Sequence, residues 1–378
     1  MNLSKNIEKI GKELLSQPTA PYREYFVQKY IKSFCNKNKI DFCFDKWGNI
    51  WIGTKSTTFS KNEDKIVFVA HMDHPGFHIT KKLKNQTWEA KWFGGGPVKK
   101  LKGAPVYLTN ENGNLFKGKI INFKLHKSGK KVETLHIQSS STENLKNYFG
   151  SYNYPGYQKK KDLIYTKSAD DLGGVLMVLS VAKLLKNKPS KKSFLGLLTR
   201  AEEVGFQGCL GSIYAHTIPK KFHFISVETS NYKAGVQFGK GPVIRLGDRA
   251  SVFDTHITYF IRLVAAELQK KNKKFCYQTR MMDGGACEAT AFNVHKLPSG
   301  GLCVPLGGYH NESESGVPCP EFVNIRDLKN LILLSEALVQ KYSQKEKYLK
   351  KVQRSFLKSF SQSKKLLQKY NTYLSLKI

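Results

Sequence analysis

Three short apolar runs, each leading into a side chain able to bind a metal, constrain this chain most. Ile66–Ala70 ends at His71, Phe194–Leu198 leads to the adjacent acids Glu202 and Glu203, and Phe222–Val227 ends at Glu228. Runs that are apolar at every position, rather than at alternate ones, belong to strands buried on both faces. Such strands lie in a parallel sheet covered by helices, and the intervening sequence supplies the helices. "DDLGGVLMVLSVAKLLKNK" is strongly helical, and helices are expected over 206–218, 252–270, 286–292 and 324–343. Strands at 274–280 and 302–306 continue the alternation. Helices at 5–15 and 22–33 and a hairpin turning at Gly48-Asn49 come before the first run.

Between about Gly76 and Tyr165 the helical pattern stops. Short alternating pieces are separated by the turn signals "GGGP", "ENGN" and "HKSGKK", as in a small all-β unit. The expected fold class is therefore α/β: a mostly parallel mixed sheet sandwiched by helices, with a small barrel-like β domain inserted. The catalytic domain is expected in two pieces, 1–75 and 166–344, around an insert at 76–165, with a basic helical tail at 345–378.

The net charge is +33, from 62 Lys and Arg against 29 Asp and Glu, and only eight of the basic residues are Arg. Readers of bases and phosphates lean on the planar fork of Arg. A Lys-dominated surface instead predicts weak, non-specific attraction to polyanions and no specific nucleic-acid site. Residues 341–378 hold eleven Lys or Arg and one acid, Glu346. Leu349, Val352, Phe356, Phe360, Leu367, Tyr370 and Leu374 recur there at helical spacing, predicting a helix docked on the body or on a neighbouring subunit. A membrane-surface or RNA-binding helix is the competing reading. No run approaches the ~20 apolar residues of a membrane span. The seven cysteines lack paired spacing, so neither a disulfide framework nor a Cys-rich zinc site is expected, and the cytoplasm is the expected compartment.

In an open parallel sheet, ligands bind beyond the carboxyl ends of the strands. His71, the Glu202-Glu203 pair and Glu228 can therefore converge. "LCVPLGGYHN" runs into His310, and "SADDLGG" offers Asp170 and Asp171 at the start of a helix. Two His, one Asp and two Glu suit a pair of divalent ions, zinc foremost and cobalt or manganese next. Two ions ~3.5–4 Å apart need a bridging carboxylate, and a further acid must take a proton from water. Adjacent residues point in different directions. Of Glu202 and Glu203, one is expected to bind metal and the other to act as general base. Asp73, two residues after His71, is placed to accept the second ring N–H.

"AHMDHPGF", "SADDLGG", "AEEVGFQG", "SVETS" and "VPLGGYHN" together resemble the co-catalytic metalloaminopeptidases, most closely the tetrahedral glutamyl/leucyl type, over most of residues 5–340. The resemblance implies a zinc-exopeptidase-like fold and hydrolysis of N-terminal residues from peptides through a metal-bridged hydroxide. It implies that His71 and Glu228 hold one metal, Glu203 and His310 the other, with Asp170 between them. Glu202 is then the general base and Asp73 orients His71. Assembly into dimers up to dodecamers is implied as well. Leu172 stands where the family has Arg, Glu228 where it has Asp, and Cys287 and Glu288 where it has Thr-Asp. A carboxypeptidase or N-acyl amino acid deacylase of the same superfamily, and a non-catalytic polyanion- or membrane-binding protein acting through the tail, are the other readings. His74 and His78 read as structural, Cys287 as a packed thiol, and Glu24 as a surface or hinge residue.

Overall fold

Tyr22 turns the chain with a left-handed φ of 67°, and the second helix begins only after it. The computed structural model describes residues 3–370 except 142, 233 and 234, together with the side chains of all of these but Leu349 and Val352. Helices α1 (Leu3–Leu14) and α2 (Tyr25–Asn38) lead into a short hairpin, β1 (Phe42–Phe44) and β2 (Ile50–Ile52), and then β3 (Ile66–His71). Helix α2 thus starts three residues later than its spacing predicts, because Glu24 turns inward and is fully buried. The surface or hinge reading of Glu24 is corrected by that burial.

Six strands follow: β4 (Gly76–Lys82), β5 (Thr87–Phe93), β6 (Pro105–Thr109), β7 (Leu115–Leu125), β8 (Val132–Ser139) and β9 (Phe149–Tyr152). They close an antiparallel barrel in the order β4-β5-β8-β7-β6-β9. Its own core includes Phe77, Trp88, Leu108, Ile137 and Tyr152, so it is sealed independently of the sheet. The next two strands, β10 (Gln158–Lys160) and β11 (Leu163–Thr166), lie within the expected insert yet pair into the main sheet. The barrel therefore closes at Tyr152.

The chain then alternates: α3 (Leu172–Leu185), β12 (Phe194–Thr199), α4 (Gln207–Tyr214), β13 (His223–Asn231), β14 (Val243–Asp248), α5 (Thr255–Lys271), β15 (Gln278–Met282), α6 (Glu288–Val294), β16 (Ser299–Gly307), β17 (Glu321–Asn324), α7 (Ile325–Lys341) and α8 (Lys345–Lys369). The main sheet has 11 strands, with the path β1-β2-β12-β3-β13-β16-β17-β11-β10 and β14 and β15 branching from β16. Its centre, β12-β3-β13-β16, is parallel. Strand β14, inside the Gly-rich "GKGPVIRLGD", has no forewarning in the sequence pattern, and neither does the four-residue β17.

Helix α3 is apolar all round and correspondingly buried, from Leu172 to Leu185, between the sheet and the outer helices α1 and α7. Fully burying each Leu or Val there contributes roughly 1.5–3 kcal/mol. Asp171 caps it, accepting from the Gly174 amide at 3.0 Å. That contact separates the adjacent acids, since Asp171 holds the helix and Asp170 is left for another task.

Among the described side chains, helix α8 meets the body at its root. Tyr348 packs edge-on against Phe260 and donates to Glu267, and Lys345 pairs with Asp64. Phe356, Phe360, Leu367 and Tyr370 further along are exposed, so docking on the chain's own body does not reach them. Residues 371–378 of the expected tail, with Leu374, lie outside the described residues. No described helix is long and apolar enough to cross a membrane.

Candidate metal centre

Strands β3 and β13 are parallel neighbours, so their carboxyl ends reach the same edge of the sheet. His71 is the last residue of β3, and Glu228 lies in the second half of β13. Strand β12 passes through Arg200 and the left-handed Ala201 (φ 50°) into a single 3-10 turn, Glu202–Val204. His310, itself left-handed (φ 54°), sits in the turn after β16. Asp170 precedes the cap of α3.

These segments bring six side chains together. His71 Nε2 lies 3.4 Å from Asp170 Oδ1, 3.8 Å from Glu202 and 3.9 Å from Glu228. His310 Nε2 lies 3.5 Å from the other Asp170 oxygen, Oδ2, and 3.1 Å from Glu203. Two trios result, His71-Asp170-Glu228 and Asp170-Glu203-His310, whose donor atoms lie within 4.8 Å of one another in each. Asp170 belongs to both. A third grouping within the same reach, His71-Glu202-Glu203, crosses between them.

The seventh residue, Asp73, works differently from the sequence expectation. The acceptor closest to His71 Nδ1 is the Asp73 backbone carbonyl at 3.1 Å, with the carboxylate at 3.6 Å. The carboxylate accepts instead from the amides of Glu202 (3.0 Å) and Glu203 (3.2 Å). Asp73 thus pins the turn from which the two glutamates diverge.

Two buried acids behind the site escaped the sequence reading. Glu24 accepts from the Ala201 amide at 3.0 Å and from Arg200 Nε at 2.8 Å, fixing the approach to the Glu202 turn. Glu321, fully buried, accepts from the amides of Ala169 (2.6 Å) and Asp170 (3.0 Å) with one oxygen. Its other oxygen accepts from the His310 amide at 2.9 Å. One carboxylate therefore sets the spacing between Asp170 and His310. His74 is structural, as its sequence context suggests. Its ring nitrogens reach the Asp170 carbonyl (2.5 Å) and Asn311 Oδ1 (2.9 Å). No local pattern marks Glu24 or Glu321 as part of the site, because the partners that tie them to it are groups of other segments.

Charge in the cluster is unbalanced. Burial lowers His71, but Glu202, Asp170 and Asp73 outweigh it and raise it well above its ordinary value. His310 is raised likewise by Glu203 and Asp170 against its burial. Asp170 runs the other way: burial raises it, yet the two imidazoles hold it far below the usual carboxylate range. Burial pushes Glu228 up to about 7 and Glu202 well above its ordinary value. Asp170 Oδ1 and Glu203 Oε1 are buried with no hydrogen-bond partner. Orphaned carboxylate oxygens facing imidazoles suit a bound cation, which restores the ionised form that burial opposes. The donor set thus fits divalent metals.

The six side chains line one end of a cavity of about 640 Å³. The cavity is also lined by Arg245, Arg249, Met282 and Cys287. Arg245 is 4% exposed, and its Nε has no hydrogen-bond partner. The Cys287 thiol, buried near it, is pushed up by burial against the pull of Arg245.

The M42 glutamyl aminopeptidase family profile matches residues 48–334, and this chain belongs to that family. It is accordingly a metallo-aminopeptidase, a hydrolase of metal-dependent kind. No curated protein sequence matches the chain. Among solved structures it resembles the Pyrococcus horikoshii TET1 peptidase, which can assemble into a tetrahedron or a large octahedral shell. Identity is 23%, covering 88% of this chain and 99% of that one, with a TM-score of 0.72. A TET aminopeptidase from a marine-sediment Thaumarchaeota archaeon is 18% identical over 91% of this chain and 99% of its own, with a TM-score of 0.75. An aminopeptidase of Desulfurococcus kamchatkensis is 22% identical over 89% and 95%, with a TM-score of 0.70. At these identities the likeness is one of fold.

Proposed function

We propose that the chain is a two-metal aminopeptidase, with His71 and Glu228 on one ion, Glu203 and His310 on the other, and Asp170 shared. The observation that carries this reading is the splitting of Asp170, one oxygen toward each imidazole at 3.4 and 3.5 Å. Charge supports it too. Asp170, Glu202, Glu203 and Glu228 bring four negative charges when ionised, which two divalent cations balance. Zinc suits the imidazole–carboxylate set best.

When bound, the metal pair polarises the scissile carbonyl and acidifies the attacking water. Glu202 belongs to neither trio that shares Asp170, so it is free to accept the proton of that water. It then returns the proton to the departing amine. Asp73, through the amides it holds, keeps Glu202 and Glu203 aimed at separate targets. The acid-rich end of the cavity suits a free amino terminus. The Arg245–Arg249 wall suits a carboxylate side chain on the first residue, which favours N-terminal Glu or Asp.

The seven cysteines are all free thiols, which supports a reducing, cytoplasmic setting. The assemblies of the TET relatives support a homo-oligomer for this chain. A panel of aminoacyl-anilides against N-acetylated peptides tests the reaction. Glutamyl substrates should lead, with Arg245→Leu cutting their advantage over leucyl substrates about tenfold. A preference for N-blocked substrates would overturn the reading in favour of a deacylase.

A further inference from the structure

The three-glycine loop after β5 brings the barrel up against His310 of the metal centre, and Lys131, just before β8, lines the same cavity. Each glycine there meets a different demand. Gly94 and Gly96 take positive φ angles of 88° and 147°, which favour a residue without a side chain. Gly95 does not. Its constraint is space, since a Cβ on Gly95 would fall 2.1 Å from His310 Nδ1 and 2.8 Å from Cε1. The imidazole has no room to yield. Tyr309 stacks on its face at 3.8 Å, Glu203 and Asp170 hold Nε2, and Glu321 holds the His310 amide. Gly95 is fixed in turn, because its carbonyl accepts from Trp92 Nε1 at 3.0 Å and Trp92 lies in the barrel core.

We propose that Gly95 is a positioning residue for His310, so that the inserted barrel completes one half of the metal site and leaves the other alone. The loop closes the side of the imidazole opposite its metal-facing nitrogen. His71 and Glu228 stand on the main sheet, and neither is among the neighbours that a Cβ on any of the three glycines would meet. Through this loop the barrel therefore bears directly on His310 and not on His71 or Glu228. The inference rests on the two-metal reading for its consequence in metal binding, but not for its geometry.

The test compares wild type with Gly95→Ala, both full-length. In the metal-free state, ring signals of labelled histidine are followed by NMR, with His71→Gln and His310→Gln providing assignments. The variant should move the His310 ring signal and leave that of His71 in place. Zinc titration should then show one ion bound within twofold of wild type and the other weakened at least tenfold. Trp92→Phe, which keeps an aromatic side chain in the barrel core but removes the N–H holding the Gly95 carbonyl, should move the His310 signal in a milder form. It carries the test if Gly95→Ala fails to fold. An unmoved His310 signal, or two ions weakened by the same factor, overturns the proposal. If wild type takes up only one ion, the two-metal reading falls while the ring signals still decide this one.

Discussion

The two halves of the carboxylate cluster are positioned by unlike means. His71 and Glu228 sit on adjacent parallel strands, each held in a main-chain ladder, His71 opposite Thr199 on β12 and Glu228 opposite Cys303 on β16. Glu203 and His310 stand in 3-10 turns entered through left-handed residues, Ala201 and Gly308, where no ladder acts. Buried acids replace it: Asp73 and Glu24 hold the first turn, and Glu321 holds the second. A sheet places a ligand as a by-product of its own hydrogen bonds. A turn must be placed by side chains, each of which has to be desolvated and satisfied. The turn half should therefore be the more fragile.

Asp170→Asn should break the comparison outright, because Asp170 serves both halves. Both ions should be lost in elemental analysis, and activity with them. Glu202→Gln should lower kcat by about 10²–10⁴-fold while metal content stays at the wild-type level. A fall in metal content instead would make Glu202 a ligand and redraw the halves. Glu321→Gln should weaken the ion at His310 by about 10–100-fold, as loss of a partner behind the ligands does, and spare the ion at His71. Ser226→Ala supplies the contrast. Ser226 donates to Glu228 Oε1 at 3.0 Å, one of the few side-chain supports in the sheet half. Its loss should weaken the ion there by less than about threefold, since the ladder remains. Calorimetric titration of both variants ranks them, and equal losses would erase the distinction between ladder and turn.

The same division separates what the sequence made legible from what it hid. The three apolar runs, the all-round apolar α3 and the barrel-like insert were readable because burial leaves a periodic mark on adjacent residues. His71, Glu228 and the acid pair were readable because they end such runs. Strand β14 was hidden by its glycines and β17 by its four-residue length. Glu24 and Glu321 were hidden for a deeper reason. An acid that satisfies amides more than a hundred residues away has no neighbour in sequence to betray it. Asp73 was expected to face the imidazole two residues away, and its carboxylate lies 3.6 Å from His71 Nδ1; the amides at 202 and 203, which it also holds, were harder to foresee.

The six cluster side chains span residues 71 to 310, and the barrel is threaded between the first and second of them. No fragment that stops short of His310 holds the whole cluster. Closure of so wide a loop is slow, and its entropy is repaid only once distant strands have paired. A nascent chain shorter than 310 residues thus lacks the last of the six side chains, His310.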